Sequence, residues 1–353
     1  MTGEFLYSAD ELRRFTAECF VTLGLPDAHA KLVADGLVEA DLRGLSSHGV
    51  SRIPTYCERL RRGLVNPTPN IAVERVTPVA ASVDGDRGMG FPVAHRAMEE
   101  AIDMARGFGL GLVAVKHSTH FGMAALYVLQ AIEADMISLV FTNSSPALPV
   151  WGGRSKFLGA APMAAGAPGG KLGPYVLDMA MTVIARGKIR LAAQRGDPIP
   201  EGLAIDLEGR PTTDAMEAFK GVCLPFGGHK GAALSMLMDV FSGVFTGAAF
   251  AGDVVNPHLD FSGPQNAGHF LMAIKPDLFM PMAEYRERMD TLVERVKACP
   301  RAEGFDEILM PGEPEAREHE RRLADGIPLT GDIVETLNKE ADTAGIRHPL
   351  SLA

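Results

Sequence analysis

The stretch that decides the fold is Leu112-Val113-Ala114-Val115, which is followed at once by Lys116-His117-Ser118-Thr119-His120. Four apolar residues in a row, two of them β-branched, predict a buried strand. A helical pattern over residues 92–108 precedes the strand, and another over 123–134 follows it. Because strands that alternate with helices are typical of α/β proteins, the sequence predicts that class of fold.

Polar residues come directly after the predicted strands. Further short apolar strands are predicted at 80–83, 137–141 and 176–179. The strand ends carry side chains that could bind a ligand, which are His117, His120, Asn143 and Asp178. Ligands of α/β domains bind at the carboxyl ends of strands, so we expect residues 76–214 to form a ligand-binding α/β domain.

Helical patterns dominate both ends of the chain. Ser8-Ala9-Asp10-Glu11 is a capping box that predicts the start of a helix. The other predicted elements of the two ends are helices at 27–43, 51–63, 282–298, 313–324 and 330–344 and a strand at 269–274. Residues 231–252 are nearly all apolar, but Asp239 lies in the middle, which predicts a buried core helix and not a membrane span.

Composition narrows the possible functions. The chain has 353 residues, a formal net charge of −10 and a pI near 5.5, which argues against a nucleic-acid-binding surface. The N-terminus lacks the basic and apolar regions of a signal peptide. The four cysteines are widely spaced, as in proteins of a reducing compartment, so we expect a cytoplasmic protein.

Ser46-Ser47-His48-Gly49, followed by Arg52, is the first candidate for chemistry. A histidine exchanges protons near neutral pH, and an arginine binds a carboxylate through two parallel hydrogen bonds. The pair therefore suits a small oxo acid or hydroxy acid. The structural alternative is a capped turn in which His48 is hydrogen-bonded and Arg52 forms a surface ion pair.

A redox reaction at a carbonyl needs a nicotinamide or flavin, but the Rossmann fingerprint is missing. Gly227-Gly228-His229-Lys230-Gly231 stands before a helix, where phosphates could bind, although a glycine hinge with a surface lysine explains it equally well. The spacing of His117 and His120 admits a metal-dependent hydrolase as a minor alternative, and we predict no metal site. A serine hydrolase is disfavoured because no Gly-x-Ser-x-Gly segment is present.

Several longer motifs resemble the malate/L-lactate dehydrogenase family that lacks a Rossmann fold, and the resemblance covers nearly the whole chain. The motifs are Asp41-Leu42-Arg43-Gly44, Ser47-His48-Gly49-Val50-x-Arg52-x-Pro54-x-Tyr56, Ser118-x-His120-Phe121-Gly122, Thr142-Asn143-Ser144, Pro149-x-Trp151-Gly152-Gly153, Leu177-Asp178-Met179-Ala180, Ala185-Arg186-Gly187-Lys188, Leu224-Pro225-Phe226-Gly227-Gly228-His229-Lys230-Gly231 and Leu309-x-Pro311-Gly312-Glu313.

The resemblance implies an NAD(P)-dependent oxidoreductase that interconverts a small 2-oxo acid and its 2-hydroxy acid. His48 would exchange the proton with support from Ser47, Arg52 would bind the substrate carboxylate, and His120 is kept as a second acid/base candidate. The cofactor, NAD or NADP, would contact His120, Phe121, Gly122, Met123, Ala124, Ser144, Asp178, Met179, Ala180, His229, Lys230, Pro311, Gly312 and Glu313. No metal is implied.

The resemblance also implies a non-Rossmann α/β cofactor domain, residues 76–214, beside one helical domain formed from both chain ends, residues 1–75 and 215–353. A homodimer with a small carboxylate substrate is expected. Where the family commonly has Thr-Asn and Thr-Ser, this chain has Ala160-Ala161 and Met181-Thr182. Two alternatives therefore stay open, a reductase of a cyclic imine carboxylate and a catalytically impaired nicotinamide-binding member.

Overall fold

A computed structural model describes residues 4–346 and 349–351. The helices are α1 (Ala9–Thr22), α2 (Asp27–Leu42), α3 (Ile53–Arg61), α4 (Gly90–Phe108), α5 (Ala125–Glu133), α6 (Arg186–Arg195), α7 (Ala215–Lys220), α8 (His229–Asp239), α9 (Met282–Lys297), α10 (Glu313–Asp325) and α11 (Gly331–Ala344). The strands are β1 (Glu4–Tyr7), β2 (Ala72–Thr77), β3 (Ala80–Asp84), β4 (Leu110–Ser118), β5 (Ile137–Thr142), β6 (Pro146–Leu148), β7 (Leu158–Gly159), β8 (Met163–Ala167), β9 (Tyr175–Met179), β10 (Ala204–Ile205), β11 (Val222–Cys223), β12 (Ala267–Ile274) and β13 (Ile327–Thr330).

The centre of the molecule is a seven-stranded sheet in the order β2-β3-β4-β12-β5-β8-β9. Only β3 and β4 are parallel among the pairs described in this sheet, and each other pair is antiparallel. A Rossmann fold has a mostly parallel sheet with helices on both faces. The prediction of an α/β fold that is not of the Rossmann type is therefore confirmed.

The position of β12 differs from the prediction. Its segment was assigned to the mainly helical residues 215–353, but β12 lies in the middle of the sheet between β4 and β5. The strand is almost wholly buried, as an interior strand must be, yet its apolar pattern does not specify which strands flank it. The sheet therefore extends beyond residues 76–214, and the division of the chain into two domains stays a prediction.

The two ends of the chain pack against each other. Strands β1 and β13 form an antiparallel pair, and α1, α2, α3 and α11 share one hydrophobic core. The predicted capping box is present in part, because the Glu11 N–H donates to Ser8 Oγ over 3.2 Å at the start of α1. The turn before α3 lies beside the residues that follow β4 and β5.

The apolar segment 231–252 is only partly buried, which corrects the prediction of a buried core helix. It forms α8 and a π-helical turn, Val240–Val244. Side chains on its outer face are exposed, with Met236 at 49%, Val244 at 56% and Phe245 at 65%. Hydrophobicity alone does not reveal whether a face is covered by the same chain, so the sequence could not show this. Across residues 4–346 and 349–351, we find no helix with the length and hydrophobicity that a membrane crossing requires.

His269 joins the middle strands of the sheet. It is fully buried on β12, and its ring nitrogens lie 2.8 Å from Thr142 Oγ1 on β5 and 2.8 Å from Ser118 Oγ on β4. The ring stacks on Phe121 with a centroid distance of 4.5 Å. Burial lowers the pKa of His269 to about 3, because a charged imidazole would lose its hydration there.

This burial predicts a loss of stability in acid. The unfolded chain takes up a proton at His269 near pH 6.5, whereas the folded protein does so only near pH 3. The free energy of unfolding therefore decreases as the pH falls through this window, by about 1.4 kcal/mol per pH unit for this group. Urea unfolding at pH 8 and pH 5 should show that the wild type loses about 2 kcal/mol more than His269→Asn. If both proteins lost the same free energy of unfolding between pH 8 and pH 5, His269 would not be the source of the acid sensitivity.

Candidate active site

A cavity of about 350 Å³ lies where β4 and β5 end and β12 begins. The two strands run antiparallel to β12, so their carboxyl ends meet the amino end of β12. The wall includes Ser47, His48, His120, Ser144 and Asp178. The structure thus brings together predicted residues from four separate parts of the chain.

A buried carboxylate holds the turn that carries His48. Asp41 Oδ2, at the end of α2, accepts a hydrogen bond from the Val50 N–H over 2.7 Å. Gly49 is required between them, because a Cβ at this position would come within about 2.1 Å of Asp41 Oδ1. Burial raises the pKa of Asp41 to about 7. The carboxylate and the glycine together determine where His48 projects.

The His48 imidazole faces the cavity and is neutral near pH 7. Its Nδ1 lies 3.0 Å from Ser47 Oγ. Burial, together with the charge of Arg52, lowers the pKa of His48 to about 4. A neutral imidazole of this kind can accept a proton from a hydroxyl group.

His120 is a second imidazole in the same wall, and its tautomer follows from its contacts. The Gly122 N–H donates to His120 Nδ1 over 3.2 Å, and the Tyr56 hydroxyl lies 2.7 Å from the same atom. Because Nδ1 accepts, the proton of the neutral ring resides on Nε2. Burial and the charges of His48 and Arg52 hold the pKa of His120 well below its usual value. The two histidine rings are stacked with centroids 5.5 Å apart.

Arg52 lies beside these histidines and is partly buried. Its Nε donates to the Ser47 carbonyl oxygen, and its Nη1 lies 2.7 Å from His258 Nε2. It does not form the surface ion pair of the structural alternative, because no carboxylate among the described residues lies within 4 Å of it. A guanidinium without an acidic partner remains available to a bound carboxylate.

A second cavity of about 350 Å³ lies next to the first, and both are lined by Leu45 and Asp178. Pro311 and Gly312 form part of its wall. The Asp178 carboxylate accepts the Ala125 N–H over 2.8 Å at the start of α5, and burial raises the pKa of Asp178 to about 6. The two cavities therefore adjoin at Leu45 and Asp178. The predicted cofactor residues that line the first cavity are His120, Phe121, Gly122, Met123, Ala124, Ser144, Asp178 and Ala180.

Four other predicted cofactor residues lie outside both cavity walls in this chain. His229 and Lys230 are exposed at the start of α8, where the His229 ring packs edge-on against Trp151 at 5.7 Å. Glu313 is bound to Lys297 over 2.7 Å and also to Arg317, so its carboxylate stabilises the start of α10. Met179 lies at the end of β9 and lines neither cavity.

The unusual apolar residues lie close to the cavity. Ala160 lines it, while Ala161 is buried with φ +32° and donates its N–H to Ser144 Oγ over 3.2 Å. Met181 is fully buried in the neighbouring core. Ala160 itself brings no hydroxyl to the wall, whereas the neighbouring Ser144 does.

His117 and His120 are held by different partners, so they do not form the ligand pair of the hydrolase alternative. His117 Nδ1 lies 3.0 Å from an Asp84 carboxylate oxygen, whereas His120 is bonded to Tyr56. In the part of the chain that the structure describes, no group of three or more histidine, cysteine or carboxylate side chains could hold a metal ion.

Among the wall residues that sequence reasoning missed are His258 and Gln265. Gln265 Oε1 accepts a hydrogen bond from the backbone N–H of His120 over 2.8 Å, and the His258 ring contacts Arg52. Both belong to the irregular segment between the π-helical turn and β12. The segment Asn256-Pro257-His258 contains a histidine, but no spacing or repeated pattern distinguishes it from an ordinary loop.

Comparison with known proteins shows that the chain is similar to dehydrogenases of 2-hydroxy acids. The sequence profile described as malate/L-lactate dehydrogenase matches residues 7–338. The chain is 40% identical over 331 residues to L-sulfolactate dehydrogenase of Methanothermobacter thermautotrophicus, with 94% of each chain covered. It is 32% identical to the NADP(+)-dependent (2R)-3-sulfolactate dehydrogenase of Chromohalobacter salexigens, with 95% of this chain and 98% of that protein covered. The solved structure of sulfolactate dehydrogenase from Methanocaldococcus jannaschii matches with a TM-score of 0.92 and 37% identity, covering 97% of this chain and 98% of that one.

These matches extend over almost the whole chain and include the segments that form the cavity. The chain therefore belongs to the malate/L-lactate dehydrogenase family, whose members include NAD(P)-dependent oxidoreductases that interconvert 2-oxo acids and 2-hydroxy acids.

Proposed function

We propose that this protein interconverts a small 2-oxo acid and its 2-hydroxy acid through His48, His120 and Arg52. The observation that carries the proposal is a cavity wall with two neutral histidines, in which the wall residues Ser47 and His258 are hydrogen-bonded to a guanidinium that has no acidic partner, that of Arg52. A carboxylate on Arg52 would place the neighbouring carbonyl carbon beside the imidazoles. NAD(P)H bound across the two adjoining cavities would supply the hydride.

Each polar group would have a separate role. In the oxidation direction, His48 Nδ1 donates to Ser47 Oγ, which leaves the Nε2 lone pair to accept the hydroxyl proton of the hydroxy acid. In the reduction direction, a protonated His48 returns that proton to the carbonyl oxygen. The Nε2–H of His120 donates to the same oxygen and stabilises the negative charge that develops on it.

The substrate class follows from the size and polarity of the site. The cavity, of about 350 Å³, has room for a small molecule, and Ala160 and Pro162 make part of its wall apolar. This favours a compact 2-oxo acid, while a cyclic imine carboxylate would use the same carboxylate contact with Arg52. The ring nitrogen of such an imine also accepts a proton. A panel that contains both 2-oxo acids and cyclic imine carboxylates distinguishes the two substrate classes.

We further propose a cytoplasmic homodimer in which a second copy covers the outer face of α8 and the turn Val240–Val244. Apolar side chains there are about half exposed, which is costly in water unless a partner covers them. His229 and Lys230 begin this helix, so the proposed dimer contact would lie beside them. The active site would lie between the α/β domain, 76–214, and the helical domain, 1–75 with 215–353.

The first test is a substrate panel with NADH and NADPH. We expect the wild type to reduce at least one small 2-oxo acid, and His48→Ala to lose about 10²-fold or more of kcat because proton transfer is lost. Binding of the nicotinamide, followed by fluorescence titration, should survive in the variant. His95→Ala changes a histidine on α4 outside the cavity and serves as a control. Near-normal turnover by His48→Ala would contradict its assignment, and an inactive wild type that binds NADH would support the impaired-member alternative.

The proposed proton transfer predicts opposite pH effects in the two directions. Reduction requires protonated His48, whose pKa is about 4 in the free protein. The value of kcat/KM for reduction should therefore fall about tenfold per pH unit as the pH rises from 5.5 to 8. The value for oxidation should change little, because neutral His48 predominates throughout this range. Initial rates measured in both directions check this. A reduction rate independent of pH across that window would remove His48 as the acid.

The proposed dimer predicts that a charge on the exposed face separates the subunits. Val244→Asp should give monomers at micromolar concentration in sedimentation velocity, because burying an unpaired carboxylate at an interface is costly. Val76→Asp is the matched control, since Val76 is also exposed, at 67%, but lies on β2. A Val244→Asp protein that still sediments as a dimer would place the interface elsewhere.

A further inference from the structure

The Arg52 guanidinium is held from two sides by groups without charge. Its Nε donates to the Ser47 carbonyl oxygen, and its Nη1 donates to His258 Nε2 over 2.7 Å. Within the described residues, Nη2 has no hydrogen-bond partner. The arginine is therefore fixed in place while one end of its planar fork stays free.

The contact determines the state of His258. A guanidinium only donates, and Nη1 lies 2.7 Å from His258 Nε2 but 3.4 Å from His258 Nδ1. The shorter contact assigns Nε2 as the acceptor and the ring proton to Nδ1. Nδ1 lies 3.3 Å from Thr55 Oγ1, which can accept a hydrogen bond from the Nδ1–H group. Burial and the charge of Arg52 lower the pKa of His258 to about 4, which agrees with a neutral ring. Thr55 thus orients the imidazole toward Arg52.

The loop that carries His258 is itself anchored to the helix next to Arg52. Arg59 of α3 is almost fully buried and donates to the carbonyl oxygens of Asp260 and Gly263 over 2.9 and 2.8 Å. Arg62 lies 4.4 Å from the centre of the Phe261 ring. These contacts keep the distance between His258 and Arg52 short.

We propose that His258 is a positioning residue, which holds the Arg52 guanidinium in the orientation that receives the substrate carboxylate. The proposal rests on the role proposed above for Arg52. A neutral imidazole suits this task better than an acid would, because a carboxylate partner would neutralise the guanidinium and compete with the substrate. His258 acts through Arg52 and takes no part in proton transfer.

The test separates substrate binding from turnover. His258→Ala should raise KM for the 2-oxo acid about tenfold, because the arginine loses a hydrogen bond that orients it, while kcat changes less than threefold. The dissociation constant of NADH should be unchanged. His258→Gln should restore most of the KM, since its Oε1 can accept from Nη1. An unchanged KM in His258→Ala, or no recovery in His258→Gln, would overturn the proposal.

A double-mutant cycle shows whether His258 acts through Arg52. In an Arg52→Ala background, adding His258→Ala should raise KM no further, whereas a second full loss would indicate an independent role and overturn the proposal. Circular dichroism and thermal unfolding verify that each variant is folded.

If the wild type reduces no 2-oxo acid, the proposed function fails, and oxamate binding to the protein–NADH complex tests His258 separately. If the wild type and His258→Ala then bound oxamate with equal affinity, the positioning role of His258 would be overturned.

Discussion

The active site depends on the way His269 ties three strands together. His269 lies on β12, and its two ring nitrogens contact Ser118 of β4 on one side and Thr142 of β5 on the other. The Phe121 ring stacks on the imidazole. The segment with His120 begins where β4 ends, and Asn143 follows β5. Because both strands are joined to the same buried imidazole, the cavity wall is built on strands that a satisfied polar side chain holds together.

The other half of the site is held by polar groups of loops and turns. Asp41 binds the turn that carries His48, and Arg59 binds the loop that carries His258. Such segments have no ladder of backbone hydrogen bonds, so buried side chains satisfy their backbone groups. Loops supported in this way can present side chains with the accuracy that proton transfer and carboxylate binding require.

Local patterns predicted much of the architecture. The strand expected at 112–115 is observed as β4, and the capping serine at Ser8 starts α1 as expected. Predictions that required knowledge of neighbours were less successful. The segment of β12 was placed in the helical part, and the face with Val244 was expected to be buried. Apolar residues indicate burial somewhere, but they do not say which surface covers them.

The sequence by itself determined the α/β class, the helices at both ends and the residue types of a dehydrogenase site, because periodicity, capping and motifs are local in the chain. Only the tertiary structure revealed that His258 contacts Arg52 across 206 residues, and that Tyr56 contacts His120 across 64. These contacts depend on strand order and loop anchoring, which bring distant segments together without any pattern in their spacing. The chemical types were therefore readable in advance, whereas the protonation states and the orientation of the site followed from packing.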